Sequence, residues 1–174
     1  TNSVRVGIVR RDIELIQWLS TDKKLLVGTN SGVWALRGTN DGESFDPVNN
    51  TNAILISATG TSAVPPVSVS REIVYMTSNS QGVRGLETSD GDDSRREQAP
   101  FDLALLSRHI FGRTLSIEET DYQFDRRSII WFVRSDGVLL GCTYVPDEGI
   151  FAWHRHILGG SFGSSAGVEP SITG

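Results

Sequence analysis

The sequence predicts an all-β fold of propeller-like blades of antiparallel sheet, a partial propeller carrying one short helix. Three observations predict it. The stretch from position 129 to 160, IIWFVRSDGVLLGCTYVPDEGIFAWHRHILGG, reads as three strands joined by two tight turns. A milder version of the same pattern occurs twice earlier in the chain. The versions start at positions 25, 73 and 129, and sheet units recurring about every 40–50 residues mark propeller blades.

The last version gives strands Ile129 to Arg134, Val138 to Val145 and Ile150 to His156. Its turns are Ser135-Asp136-Gly137 and Pro146-Asp147-Glu148-Gly149. Asp-Gly between two apolar runs is a strong hairpin signal, because Gly137 accepts the positive φ that a primed turn demands. Pro-Asp-x-Gly does the same in a longer loop. In the earlier versions Leu25 to Thr29 leads through Asn30-Ser31-Gly32 into Val33 to Leu36. Likewise Ile73 to Thr77 leads through Ser80-Gln81-Gly82 into Val83 to Leu86. A blade is buried on both faces, so its inner strands run apolar on consecutive residues. An ordinary β-sandwich would instead repeat its hairpins every 8–12 residues or about that.

The remaining elements follow in order. Val4 to Val9 alternates as a strand does, and Ile13 to Trp18 reads as another, with Ser20 to Lys24 as its turn. Gly38 to Asn52, rich in Gly, Asn, Asp and Ser, is a surface loop. Ala53 to Ala58 is a short strand. Pro65-Pro66 excludes a central strand from the connection Gly60 to Pro66. Ser89 to Pro100 is a charged, solvated loop. Asp102 caps a helix over Leu103 to Ile110, with Leu103, Leu106 and Ile110 on one side, and Gly112 ends it.

Composition bounds the function. The chain has 174 residues, 38% hydrophobic and 21% charged, ordinary values for a folded domain. We read residues 1–174 as one propeller-type region, holding three to four blades at about 45 residues each. Closed propellers have roughly 4–8 blades. The ends, Thr1-Asn2-Ser3 and Ser171 to Gly174, likewise read as those of a piece of a longer polypeptide. No run approaches the ~18 apolar residues of a membrane helix. The net charge of −5 argues against broad phosphate-backbone binding, yet an acidic, non-adhesive surface suits a conduit through which DNA slides. The single cysteine, Cys142, lies in an apolar strand and reads as a core residue.

Candidate chemistry is sparse. His154 and His156 form a His-x-His on one strand face, the only weak candidates for a metal. A metal needs a further ligand, and nothing in the sequence brings His109 close. Thr39 to Phe45 is similar to the Asp-box turn of sialidase-type propellers, itself a structural motif. Tyr122 and Arg126-Arg127 supply sialidase residue types without a spacing that specifies the site. No nucleophile elbow, phosphate loop or cysteine pair is present, so no catalytic residue and no cofactor is assigned. Trp18, Trp34, Trp131 and Trp153 lie in strand patterns and read as core.

Several segments together resemble the propeller region of the nozzle class of bacteriophage tail proteins, also called tail tubular protein B, from short-tailed phages. They are Trp18 with Leu25 to Thr29 and Gly32-Val33-Trp34; Val74-Tyr75 with Gly82 to Leu86; and Phe101-Asp102-Leu103 with Leu106 and His109-Ile110. The most specific block is Ile130 to Gly137, then Thr143-Tyr144, then Ala152 to His156 and Gly159-Gly160. The resemblance spans about residues 12–162 and departs from the family at the charged loop Asp90 to Gln98. It implies a structural virion component, assembled in the host cytoplasm. Such a protein forms a ring of copies, typically six, below the portal and adaptor. It contacts the adaptor and tail fibres and encloses viral DNA in transit. Structural roles then fall to Trp34, Trp131, Asp136, Gly137, Tyr144 and Trp153. The alternative is a glycan-binding or sialidase-like propeller.

Overall fold

The computed structural model describes residues 14–21, 24–37, 52–80, 82–88, 100–112, 114–125 and 127–157. These form three four-stranded antiparallel sheets, each a meander in chain order. Sheet one holds β1 (Ile16–Thr21), β2 (Leu25–Thr29), β3 (Val33–Arg37) and β4 (Asn52–Ser57). Sheet two holds β5 (Val67–Val69), β6 (Glu72–Met76), β7 (Val83–Glu87) and β8 (Phe101–Asp102). Sheet three holds β9 (Ile117–Gln123), β10 (Ile129–Arg134), β11 (Leu139–Val145) and β12 (Ile150–His156). The three repeated hairpins of the sequence are the central pairs β2–β3, β6–β7 and β10–β11. The blade-like, all-β architecture is therefore present, without a closed barrel.

Sheet two is the filling of the stack. Ile73, Val74, Tyr75 and Met76 are buried one after another, which requires cover on both faces. On one face Ile73, Tyr75 and Leu86 pack against Trp18, Leu26, Val33 and Ala35 of sheet one. On the other, Val69, Val74, Met76 and Val83 pack against Ile130, Phe132, Leu140, Cys142 and Tyr144 of sheet three. The consecutive apolar residues of β6 thus report burial on two sides, as the period argument requires. Cys142 is fully buried in the second interface, and burial pushes its thiol up to about 12.

Each sheet has a glycine lying beneath an aromatic ring of the neighbouring strand. A Cβ on Gly28 would stand 2.2 Å from Trp18, one on Gly85 2.3 Å from Phe101, and one on Gly141 2.2 Å from His154. The missing side chain lets the ring lie flat on the backbone, the arrangement by which aromatic residues cover strand glycines.

The ends of the sheets repeat too. Thr29 closes the β2–β3 turn: its amide and its hydroxyl donate to the Gly32 carbonyl at 2.8 and 2.9 Å, and its hydroxyl accepts from the Gly32 amide at 3.0 Å. Thr77 makes the same three bonds to Gly82, at 2.9, 3.1 and 3.1 Å. In sheets one and three the residue leading into the sheet binds the central turn, Leu15 at Asn30 and Ser116 at Ser135, and in sheet two Ser62 of the preceding connection binds Met76 at the end of β6. Gly60 and Thr61 tie both neighbouring turns, since Ser78 donates to Gly60 and Thr61 to Thr29.

Four details differ from the sequence reading. The helix expected over Leu103 to Ile110 is a set of turns ending in one 3-10 turn, Arg108–Ile110. Phe101 and Asp102 are used as the last strand of sheet two, Leu103 donates to the Val83 carbonyl, and Asp102 caps a tight turn at the Ala104 amide, 2.9 Å. An isolated helix this short has little stability to set against those bonds. The Asp136-Gly137 turn is not a primed two-residue turn. It has three loop residues, with Gly137 at φ +81°, and Gly137 donates to the Arg134 carbonyl at 2.7 Å, as in a turn closed by a glycine bulge. The first strand begins at Ile16 and continues through Ser20 and Thr21, which the sequence assigned to a turn. Finally β5 and β9, edge strands of their sheets, and the two-residue β8 were not foreseen as strands. The segments Val4 to Val9, Thr39 to Phe45, Asp90 to Gln98 and Gly159-Gly160 lie outside the described residues. Among the described residues no helix is long and apolar enough to cross a membrane.

Candidate assembly face and polar cleft

Sheet three carries most of the residues singled out from the sequence, and its two faces do different work. Phe132, Arg134, Tyr144 and Trp153 point to sheet two. Trp153 lies 4.9 Å from Phe111 and 5.1 Å from Phe132 between ring centres, and its indole Nε1 donates to the Leu103 carbonyl at 2.8 Å. It fastens the turn region after β8 onto sheet three.

Trp131, read from the sequence as core, stands on the opposite, outer face, half-buried. Period two places it there, because Ile130 and Phe132 take the inner side. Its Nε1 donates to Gln123 Oε1 at 2.9 Å, and its ring meets the edges of His154 and His156 at 5.9 and 5.1 Å. The two histidines share this face as expected. His154 Nδ1 and His156 Nε2 are 2.7 Å apart, and His154 Nε2 is 3.2 Å from Thr143 Oγ1. Partial burial, then the neighbouring His156, hold His154 below its usual range. Among the described residues no group of three or more His, Cys, Asp or Glu is arranged to hold a metal. His109 lies elsewhere, on the 3-10 turn, and is not brought to the pair. Trp34, also half-buried, donates from Nε1 to Glu14 Oε2 at 3.1 Å in sheet one.

Asp136 proves to be more than a turn residue. Its carboxylate accepts from Arg134 Nε at 2.8 Å and Nη2 at 2.6 Å, a two-pronged pair, and from the Val138 amide at 3.3 Å. Arg134 is 8% exposed, and its third nitrogen, Nη1, donates to the Ile110 carbonyl. The guanidinium therefore holds Asp136 below the usual carboxylate range, chiefly through its hydrogen bonds. Sheet three thus uses a carboxylate where sheets one and two use a threonine hydroxyl. Gly137 supplies the left-handed residue that lets the turn close.

At the same end of the molecule lies a polar cleft of about 600 Å³, lined by the β6–β7 turn and the turns after β8. Arg84, Arg108 and Asp102 supply its charges beside the His109 ring, and Arg108 pairs with Asp102 at 2.7 Å. Tyr122, the sialidase-type candidate, is not in it: its hydroxyl is 3.0 Å from Ser128 Oγ, and the neighbouring Arg127 is exposed. Arg126 lies outside the described residues.

The chain matches no family model and no curated protein.

Sequence reasoning missed Arg134, Glu72 and the pair Thr29 and Thr77. The threonines had a signal, since both end the first strand of an aligned repeat just before the glycine turn. Arg134 had one as well: it continues the inward series of Ile130 and Phe132, where a lone cation demands a buried partner. Glu72 had none, because its partner lies in the next sheet.

Proposed function

We propose that the chain is a structural component of a phage tail, of the nozzle class, contributing blades to the conduit for genome ejection and performing no catalysis. One observation carries this reading. The most specific block of the resemblance, Ile130 to Gly137 with Thr143-Tyr144 and Ala152 to His156, coincides with β10, its turn, β11 and β12. Within it Phe132, Arg134, Asp136, Tyr144 and Trp153 fill an interface or lock a turn. In this chain the block builds and stacks a sheet.

Two features fit the same reading. Glu118, Glu119 and Asp121 line an exposed acidic stretch of β9, an unadhesive surface for DNA in transit. The outer face of sheet three, with half-buried Trp131 and exposed Val133 and Ile150, offers apolar area to a further sheet or subunit. Its partners would be further copies in a ring, a tail adaptor, tail fibres and the viral genome, and its place the virion. A ring arises from heterologous contacts that close by rotation.

The glycan-binding alternative draws on the cleft, where Arg84, Arg108 and His109 suit an acidic sugar. Light scattering on the purified full-length protein, run beside a glycan array, separates the two readings. A mass of several subunits with a blank array supports the tail protein. A monomer that binds acidic glycans, and loses them on Arg84→Ala, supports the alternative.

A further inference from the structure

The interface between sheets two and three is largely apolar, and at one end of it an ionisable pair, Glu72 and Tyr144, meets across it. Glu72 opens β6, half-buried, with its side chain on the face that meets sheet three. The Tyr144 hydroxyl of β11 donates to Glu72 Oε2. Tyr144 is 2% exposed and Glu72 half-buried, so the interface covers this bond in part. Across the β6–β7 ladder Glu72 is paired directly with Glu87, a like-charge pair at the closest cross-strand position. Asp147, in the turn after β11, adds its charge from the other sheet. Arg71, one residue before, is exposed, and no Lys or Arg among the described residues forms an ion pair with Glu72.

We infer that Glu72 and Tyr144 form a proton-controlled latch between the second and third sheets, closed while the Glu72 carboxyl keeps its proton and loosened when it ionises beside Glu87 and Asp147. Two effects oppose each other here. The tyrosine hydroxyl favours the carboxylate as a hydrogen-bond acceptor. Burial and two negative neighbours disfavour it. The second effect wins: burial first, then Glu87 and Asp147, push Glu72 from 4.5 to about 7.

The direction of the pH effect follows. A carboxyl whose folded pKa lies above its unfolded value gives most stability below pH 4.5, and that contribution is lost as pH rises toward about 7. The latch is therefore tight in mildly acidic solution and weak above neutrality. Only the proton on Glu72 changes, so no other reactant is needed. For a half-buried group the swing is moderate, a melting-temperature difference of roughly 2–4 °C.

The test uses the whole chain and hydrogen exchange of β11, corrected for intrinsic exchange, at pH 5.5 and 8.0. Opening of β11 should rise several-fold at the higher pH in the wild type and stay level in Glu72→Gln, which keeps an acceptor but cannot ionise. Glu87→Gln should move the transition to lower pH, because one repelling charge is gone. A Glu72→Gln protein with the wild-type pH response, or a wild type with no response, overturns the latch. Carbon NMR of the wild-type Glu72 carboxyl gives a check that needs no variant. A midpoint near 7 supports the latch, and one near 4.5 overturns it.

Discussion

Replacing Asp136 by alanine should cost far more than the loss of a turn residue, because it strands a buried cation. Arg134 is 8% exposed and gives two of its donors to Asp136, at 2.8 and 2.6 Å. Removing one partner of a fully buried pair costs about 3–5 kcal/mol, chiefly through the uncompensated charge left behind. The Asp136 side chain is 34% exposed, so water replaces part of what is lost. The remaining bond from Arg134 Nη1 to Ile110 persists. We expect about 2–3 kcal/mol, which in a chain of this size lowers the melting temperature by about 5–10 °C. Urea melts followed by tryptophan fluorescence measure it. The double variant Arg134→Met/Asp136→Ala should recover much of the loss, since the stranded charge is gone. Asp136 is held below 3.8, so its contribution is present above that pH and fades as pH falls through the lowered value. Asp136→Asn should flatten that acid limb. A cost under about 1 kcal/mol for Asp136→Ala, or a double variant as unstable as the single one, refutes the reasoning.

Other predictions follow from the same contacts. Trp153→Ala should destabilise by about 3–5 kcal/mol in the same melts, whereas Trp131→Ala, on the outer face, should cost about 1–2 kcal/mol. Gly60→Ala places a Cβ 2.0 Å from the Asn30 carbonyl oxygen, backbone that cannot swing aside, and should cost about 1–3 kcal/mol by calorimetry. Cys142, with its thiol pushed to about 12, should resist thiol reagents in the native state and react at once in urea. His154 is held below 6.5, so its contribution is present above that pH and should fade as pH falls through the lowered value, opposite in sign to Glu72; His154→Gln should remove that slope in a pH series of melting temperatures.

The central hairpins were legible because each carries its own signal, a glycine turn between apolar runs. Strands β10 and β12 match the sequence reading, and β11 begins one residue later, at Leu139. What the sequence hid depends on partners far along the chain. Strand β9, IEETDYQ, has one buried residue, Ile117, and acidic residues that strands disfavour; it is a strand because β10 offers it a ladder. The stretch after Asp102 carries apolar residues at helical spacing. Yet Leu103 and Ala104 are buried side by side while Leu106 is 84% exposed, because sheet two and Trp153 recruit its backbone. Trp131 and Trp153 look alike in sequence and differ by one step of a period-two ladder. The Glu72–Tyr144 contact joins residues 72 positions apart, beyond any local pattern.

The measurement that tests the assembly proposal most directly is negative-stain imaging of the full-length protein, paired with its mass in solution. Rings of several subunits around an open channel are the predicted result. A compact monomer with no channel would contradict the conduit while leaving the three stacked sheets intact.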